Sequence, residues 1–311
     1  MEPASSSLPH NRSSAFFDDD GTFSSKFRDS INRWSTALLN DDGIIEPIQP
    51  NSEITSAKII SKQNGIFVGR EIINNLCNYW APHLEFKWNF SEGDKISLGD
   101  TLVEINGDKN QLLKIERPIL NIIGRLSGIG TTANNWIKNC QIPVASTRKT
   151  TWGLLDKWAV HMGGALTHRL DRNDALMLKE NDLAAQFSEY HPSERVRIAL
   201  ENIDFKNTGA FVIIEVRNNE EAILAAKTWN KLQNEKPLTI MLDNISAKKC
   251  DEIITSISNL QLKCKIYFEA SGGISLENLK DWNKSLVDVI STSSIHRGTS
   301  PLDISLLFEE V

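Results

Sequence analysis

Apolar residues recur at helical spacing between Phe23 and Leu39, through Phe27, Ile31, Trp34 and Leu38, and predict an amphipathic helix. Two extended stretches follow, SAKIISKQNGIFVG and FKWNFSEGDKISLGDTLVEIN. Within the second, EGDKISLGDTLVEI alternates apolar and polar residues around two Gly-Asp turns, the pattern of a β-hairpin. From Lys109 to Asn139 the stripe Leu112, Ile115, Ile119, Ile122 and Ile123 predicts one long helix, or two joined near Gly128 and Gly130.

After Cys140 the pattern changes. Apolar, β-rich runs alternate with helical segments: QIPVASTRK, GGALTHR, ALMLKEN, AFVIIEVR, PLTIMLDN, KIYFEASGG and VDVISTSS. Such alternation predicts parallel strands joined by right-handed crossovers. Near-continuous apolar character implies strands covered on both faces, and roughly seven of them predict a closed or nearly closed α/β barrel.

The polar residues that end these runs carry the chemical information. In order they are Arg148-Lys149, His168-Arg169, Lys179-Glu180-Asn181, Glu215, Asp243-Asn244, Ser271-Gly272-Gly273 and Ser291-Thr292-Ser293-Ser294. Charged residues often just punctuate strand ends, and Glu215 alone could be read that way. Seven ends with matching chemistry favour a site, because barrel strands converge at their carboxyl ends on one rim. Arg148, Lys149, His168, Arg169 and Lys179 suit carboxylates or phosphates. Glu215 and Asp243 are hard oxygen ligands suited to Mg²⁺. Ser271-Gly272-Gly273 lets backbone N–H groups approach a phosphate, as does the Ser/Thr-rich turn of the next run. The inferred ligands are a phosphate monoester, a metal-bound polyphosphate and a carboxylate.

Composition narrows the class. With 34 Lys+Arg against 40 Asp+Glu, a net charge of -6 does not fit a uniformly basic nucleic-acid binder. No apolar run approaches the roughly 20 residues of a membrane-spanning helix. Cys77, Cys140, Cys250 and Cys264 are scattered without zinc or disulfide spacing, and read as free thiols in a reducing compartment. Residues 1–24 lack the apolar core of a signal peptide and carry Asp18, Asp19 and Asp20, so a polar flexible tail on a cytoplasmic protein is expected. His10, His83, His161 and His191 have no motif partners and read as surface or supporting residues. The tryptophans read as core or interface anchors, with Trp152 set apart by its place beside the basic strand end.

Eight segments together carry a resemblance: ERPILNIIGRLSGIGT, STRKTT, GGALTHRL, LKEN, IEVRNNEEA, IMLDNIS, EASGGISLENL and LDISL. In order and spacing the chain resembles, from about Ala57 to Phe308, the quinolinate phosphoribosyltransferases (carboxylating nicotinate-nucleotide pyrophosphorylases), a type II phosphoribosyltransferase family. The resemblance implies an α/β protein: an N-terminal α/β sandwich at residues 25–116 and an incomplete, six- to seven-stranded α/β barrel at 117–300. Residues 301–311 are expected to pack back on the sandwich. It implies a homodimer in which one subunit's sandwich closes the other's barrel, with Arg117 of ERP reaching across. It assigns Arg148, His168, Arg169 and Lys179 to the quinolinate carboxylates, and Lys149 to a place near the phosphoribosyl donor. Glu215 and Asp243 would lie by the ribose hydroxyls and Mg²⁺, acting with Lys149 as the catalytic set. Ser271, Gly272, Gly273, Ser293 and Ser294 would form the phosphate cradle of phosphoribosyl pyrophosphate (PRPP). The implied reaction is phosphoribosyl transfer to quinolinate with decarboxylation, in NAD biosynthesis, with no nucleic-acid or membrane partner.

Some positions depart from the family pattern. Trp152 replaces a proline in TTWGLLD, Asp182 replaces a histidine in KEND, and Ser293 replaces a glycine. Two alternatives therefore stand: the same fold and donor with nicotinate or a related carboxylate as acceptor, and a non-catalytic paralogue. Three cations, Arg148, Arg169 and Lys179, favour a dicarboxylate, and intact Arg117, Glu215 and Asp243 favour an enzyme.

Overall fold

The computed structural model describes residues 8–232 and 235–308, which divide into two compact units. One holds Ser13–Asn135, Lys149–Ala165 and the chain from Ile295 onward; the other holds the first residues through Arg12, Trp136–Arg148 and Leu166–Ser294. The expected boundary at 116/117 falls inside the unbroken helix Lys109–Asn139, most of which belongs to the first unit. A continuous apolar stripe along this helix gives no sign of a domain border.

In the first unit four strands form an antiparallel sheet in the order Ile304–Phe308, Ile54–Ser61, Thr101–Asp108, Leu84–Trp88. Ala57, Ile59 and Ser61 are buried at alternate positions, the period-two pattern of a sheet with one covered face. The alternating EGDKISLGDTLVEI stretch is not a hairpin. Lys95–Ile96 pairs with Gly65–Ile66, whereas Thr101–Asp108 pairs with Ile54–Ser61 and Leu84–Trp88. Each Ser-x-Gly-Asp turn is closed by its aspartate, Asp94 accepting from the Ser91 N–H and Asp100 from the Ser97 N–H. Two such turns in succession send the flanking runs to different partners.

Gly128 and Gly130 do not break the long helix. A Cβ on Gly128 would lie 2.2 Å from the Ser300 carbonyl oxygen, so glycine there admits the 300–302 backbone against the helix. Helices Ser25–Asp41, Arg70–Trp80 and Leu154–Met162 complete the unit, burying Phe27, Ile31 and Leu39; Ile72, Ile73 and Leu76; and Leu155, Trp158 and Val160.

The expected flexible tail is corrected for residues 8–24; residues 1–7 lie outside the described residues. Phe16 is fully buried, with its ring 4.7 Å from Phe27 and 5.4 Å from Trp158. A polar average over residues 1–24 hid a few well-spaced apolar anchors.

The second unit is built on six parallel strands in the order Val144–Ser146, Val289–Thr292, Ile266–Ser271, Leu238–Asp243, Val212–Val216, Leu176–Leu178. A single bridge adds Leu166 beside Ala145, which accounts for the seventh apolar run and gives an incomplete barrel. Helices Glu180–Gln186, Pro192–Glu201, Asn219–Lys231 and Ala247–Ser258 supply crossovers. Asn218 caps Asn219–Lys231 by accepting from the Glu221 N–H, while Glu221 accepts from the Arg217 N–H, so NNEEA is a helix start. Two apolar clusters fill the interior: Leu8, Ala145, Leu166, Tyr267 and Val289, and Ala175, Phe211, Ile213 and Met241. Among the described residues no helix is long and apolar enough to cross a membrane.

Candidate active site

Strand register sets the layers of the barrel. Met241 is flanked by Glu215 and Glu269, and Ser271 by Asp243 and Ser291. Side chains two residues apart share a face. Because Ile213 and Met241 pack inside, Glu215 and Asp243 share that face at the carboxyl end.

Glu215 is mostly buried and its carboxyl is pushed up, first by burial and then by the charge of Asp243. Lys179 opposes this from 3.9 Å. Asp243 accepts a hydrogen bond from Asn244 Nδ2 at 2.8 Å. Two mutually repelling carboxylates with partial compensation are a donor set that a hard divalent cation relieves, so these residues fit Mg²⁺.

The cations gather on the same unit. Arg169 is 6% exposed, and its Nη1 donates to the Ala175 carbonyl at 3.0 Å. Its pKa is pulled down to about 10, by burial first and then by the charges of Arg148 and Arg172. Arg148 is exposed at the end of its strand, and Lys179 is half-exposed. Asp182 in KEND is a helix cap: it accepts from the Lys179 backbone N–H at 3.1 Å and so fixes the backbone that presents Lys179. Two expected residues lie elsewhere. Arg117 is exposed on the long helix, and Lys149 is exposed at the first residue of a segment assigned to the sandwich unit.

The first of the small-residue loops lines a cavity of about 610 Å³. Gly272 and Gly273 line it with Asn244, Lys248 and Asn278. Gly272 has φ +91°, and a Cβ there would meet Asn244 Oδ1 at 2.4 Å; Gly273 has φ +64° and faces open space. Thr292 Oγ1 donates to the Ile274 carbonyl and accepts from the Ser294 N–H, tying the two loops together. Ser293 and Ser294 flank this tie. Asn244 itself has φ +55°, a conformation non-glycine residues adopt at a cost of about 1–2 kcal/mol. Lys248 and Asn278 went unnoticed in the sequence because neither ends an apolar run.

His168 is placed differently from a carboxylate-binding rim residue. It is buried at φ +52°, and its Nε2 meets the Glu269 carboxylate at 3.1 and 3.2 Å. Its Nδ1 accepts the Arg169 N–H at 2.7 Å. Glu269 is fully buried, and its other partner is His10 Nε2 at 3.0 Å. Burial alone would raise the Glu269 carboxyl, yet the His168 and His10 imidazoles hold it well below the usual range. Their ligand atoms lie within 4.8 Å of one another, close enough to hold a metal ion. The tautomer argues against that use: an Nδ1 that accepts the Arg169 N–H puts the proton on Nε2, where a metal would need a lone pair.

Trp152 belongs to the sandwich unit. Its ring stacks on Trp34 at 6.1 Å beneath the Arg125 guanidinium, while Asp156 accepts from the Thr151 and Trp152 N–H groups. It packs, and takes the place of proline as a turn anchor.

Comparison with known proteins shows the family. Residues 39–127 match the family model for the quinolinate phosphoribosyl transferase N-terminal domain, and residues 129–307 that for the C-terminal domain. The chain is 32% identical over 255 residues to a probable nicotinate-nucleotide pyrophosphorylase (carboxylating) of Bacillus subtilis, covering 80% of this chain and 82% of that protein. It is 28% identical over 286 residues to quinolinate phosphoribosyltransferase (decarboxylating) 1 of Nicotiana glauca, covering 87% and 79%. Among solved structures, NadC from Streptococcus pyogenes superposes with a TM-score of 0.75 at 26% identity, over 93% of this chain and all of that one.

Proposed function

This chain belongs to the quinolinate phosphoribosyltransferase family, and we infer that it transfers the phosphoribosyl group of PRPP to quinolinate with decarboxylation, giving nicotinate mononucleotide, pyrophosphate and CO₂. The observation that carries this reading is Arg169: a buried guanidinium, disfavoured by neighbouring like charges, on the unit that also carries two acidic strand ends and a glycine-lined cavity. Such a cation is relieved by an anion.

Arg148, Arg169 and Lys179 hold the two adjacent carboxylates of the acceptor and turn its ring nitrogen toward the sugar. An Arg fork suits a carboxylate, and three cations suit a diacid better than a monoacid. His168 supports Arg169 from below through its Nδ1. The backbone N–H groups of Gly272 and Gly273, with Ser271, Ser293 and Ser294, receive the 5′-phosphate. Glu215 and Asp243 bind the ribose hydroxyls and stabilise positive charge developing at C1, and they are the residues that would hold Mg²⁺. Mg²⁺ held there would neutralise the pyrophosphate and make it a better leaving group.

The pyridine nitrogen attacks C1 as pyrophosphate departs, and placing both reactants on one rim avoids roughly 7–11 kcal/mol of barrier. The nitrogen is then cationic and stabilises the carbanion left at C2 when the 2-carboxylate leaves as CO₂, and a proton taken up from solvent at C2 completes the nicotinate ring. No covalent enzyme intermediate is needed, and no thiol takes part. Lys149 and Arg117 complete the site in a homodimer, Lys149 beside the donor and Arg117 from the other subunit. Four free cysteines suit a reducing, cytoplasmic setting.

The test is incubation with PRPP, Mg²⁺ and either quinolinate or nicotinate, following mononucleotide and CO₂ by chromatography and gas trapping. Mononucleotide and CO₂ from quinolinate alone support the reading. Mononucleotide from nicotinate without CO₂ would transfer it to another acceptor.

A further inference from the structure

We propose that His10 and Arg12 are positioning residues for the acceptor subsite, a role that rests on the phosphoribosyl-transfer reading above. Both precede residue 39, where the match to the family models begins. Residues 10–12 lie against the segment after the Leu166 bridge, which carries Thr167, His168 and Arg169. The Arg12 N–H donates to Thr167 Oγ1 at 2.8 Å, and Thr167 Oγ1 lies 3.4 Å from the His10 carbonyl oxygen. Leu8 anchors this segment in the barrel interior against Leu166 and Val289.

Two chains of contact lead from it to the cation pair. His10 Nε2 shares the Glu269 carboxylate with His168 Nε2, at 3.0 Å and 3.1 Å. His168 stands 5.1 Å from the His10 ring, edge to face, and both rings contact Phe211. With one Glu269 oxygen held by His10, the carboxylate is oriented so that His168 donates from Nε2 and accepts the Arg169 N–H at Nδ1. A carboxylate that orients an imidazole fixes its tautomer and its rotamer together.

The second chain starts at Arg12, whose Nε and Nη2 both lie 3.0 Å from Asp174 Oδ1. Asp174 Oδ2 accepts the Leu170 N–H at 2.8 Å, and the next residue, Ala175, supplies the carbonyl that holds Arg169 Nη1. Arg12 thereby pins the 170–175 loop that returns to grip the Arg169 guanidinium. The segment touches no phosphate loop residue in these bonds, so its influence falls on the diacid and not on PRPP.

The experiment is calorimetric titration with phthalate, an unreactive vicinal diacid lacking the ring nitrogen, and separately with PRPP and Mg²⁺. The proteins are the unaltered chain, His10→Leu, His10→Gln, Arg12→Ala and Arg12→Lys, each checked by circular dichroism and thermal melting. His10→Leu and Arg12→Ala should weaken phthalate binding about tenfold, the scale expected of a displaced binding group, with PRPP affinity held within about twofold. His10→Gln, whose amide nitrogen can occupy the Nε2 position, should restore most of the loss. Equal weakening toward both ligands, or full phthalate affinity in a folded His10→Leu or Arg12→Ala protein, overturns the proposal. Should His10→Leu not fold, the variants of Arg12, whose side chain is about a quarter exposed, decide. A chain that binds phthalate but turns over no quinolinate would sink the parent reading, whereas unchanged phthalate affinity in folded variants of an active enzyme would sink this proposal alone.

Discussion

Replacing Arg169 by methionine separates binding from stability. Methionine keeps an unbranched stem in a site that is 6% exposed, so little cavity is opened. The guanidinium contributes a charge-assisted interaction with the acceptor worth about 1.5–3 kcal/mol in all, so diacid affinity should fall between about tenfold and about 150-fold. In the free protein two effects oppose. The variant orphans the buried Ala175 carbonyl, at a cost of about 1–3 kcal/mol, and relieves a cation crowded by Arg148 and Arg172. These are of similar size, so unfolding stability should change by less than about 1 kcal/mol, a Tm shift of about 2–3 °C. Isothermal calorimetry with quinolinate and with PRPP–Mg²⁺, beside calorimetric melting, measures all three quantities. A loss of diacid affinity below threefold, or an equal loss for PRPP, would show that Arg169 is a structural cation and refute the division of the site.

Further outcomes follow from the same structure. Glu215 has a raised carboxyl, so its contribution to free-enzyme stability is present below its unfolded value of 4.5 and lost as pH rises through the folded value; Glu215→Gln should raise the neutral-pH Tm while abolishing most turnover, and a lowered Tm would contradict this. Glu92, pushed up to about 7 by burial, accepts the Gly69 and Glu71 N–H groups. Its stabilising share is complete below pH 4.5 and gone above about 7, so Glu92→Gln should flatten the fall in Tm between pH 5 and pH 8, read by scanning calorimetry. Gly272→Ala must displace Asn244 and should cost most PRPP affinity, whereas Gly273→Ala meets open space and pays only the backbone cost of about 1–2 kcal/mol; equal effects in a PRPP titration would count against the loop geometry.

The barrel was legible because its strands are buried on both faces and leave uninterrupted apolar runs, each ending where polar chemistry begins. The carboxylate pair and the glycine loop were found this way. Residues that act from inside the barrel were hidden: Glu269 sits within KIYFEASGG, and nothing local distinguishes a buried carboxylate from a solvent-facing one. For His10 the sequence leaves open whether it is a surface or a supporting residue, because its partner lies 259 residues away, a pairing that only tertiary structure makes. His168 was expected to face the acceptor, yet it points inward and supports Arg169 instead. The alternation around Gly93 and Gly99 was real, but period-two patterning names a covered face and not a pairing partner.

Quinolinate carrying ¹³C in its 2-carboxyl group, given to the enzyme with PRPP and Mg²⁺, follows the proposed chemistry atom by atom. The account requires every labelled carbon to leave as ¹³CO₂, one for each nicotinate mononucleotide formed, and none while PRPP is withheld. Label retained in a mononucleotide, or CO₂ released without transfer, would contradict it.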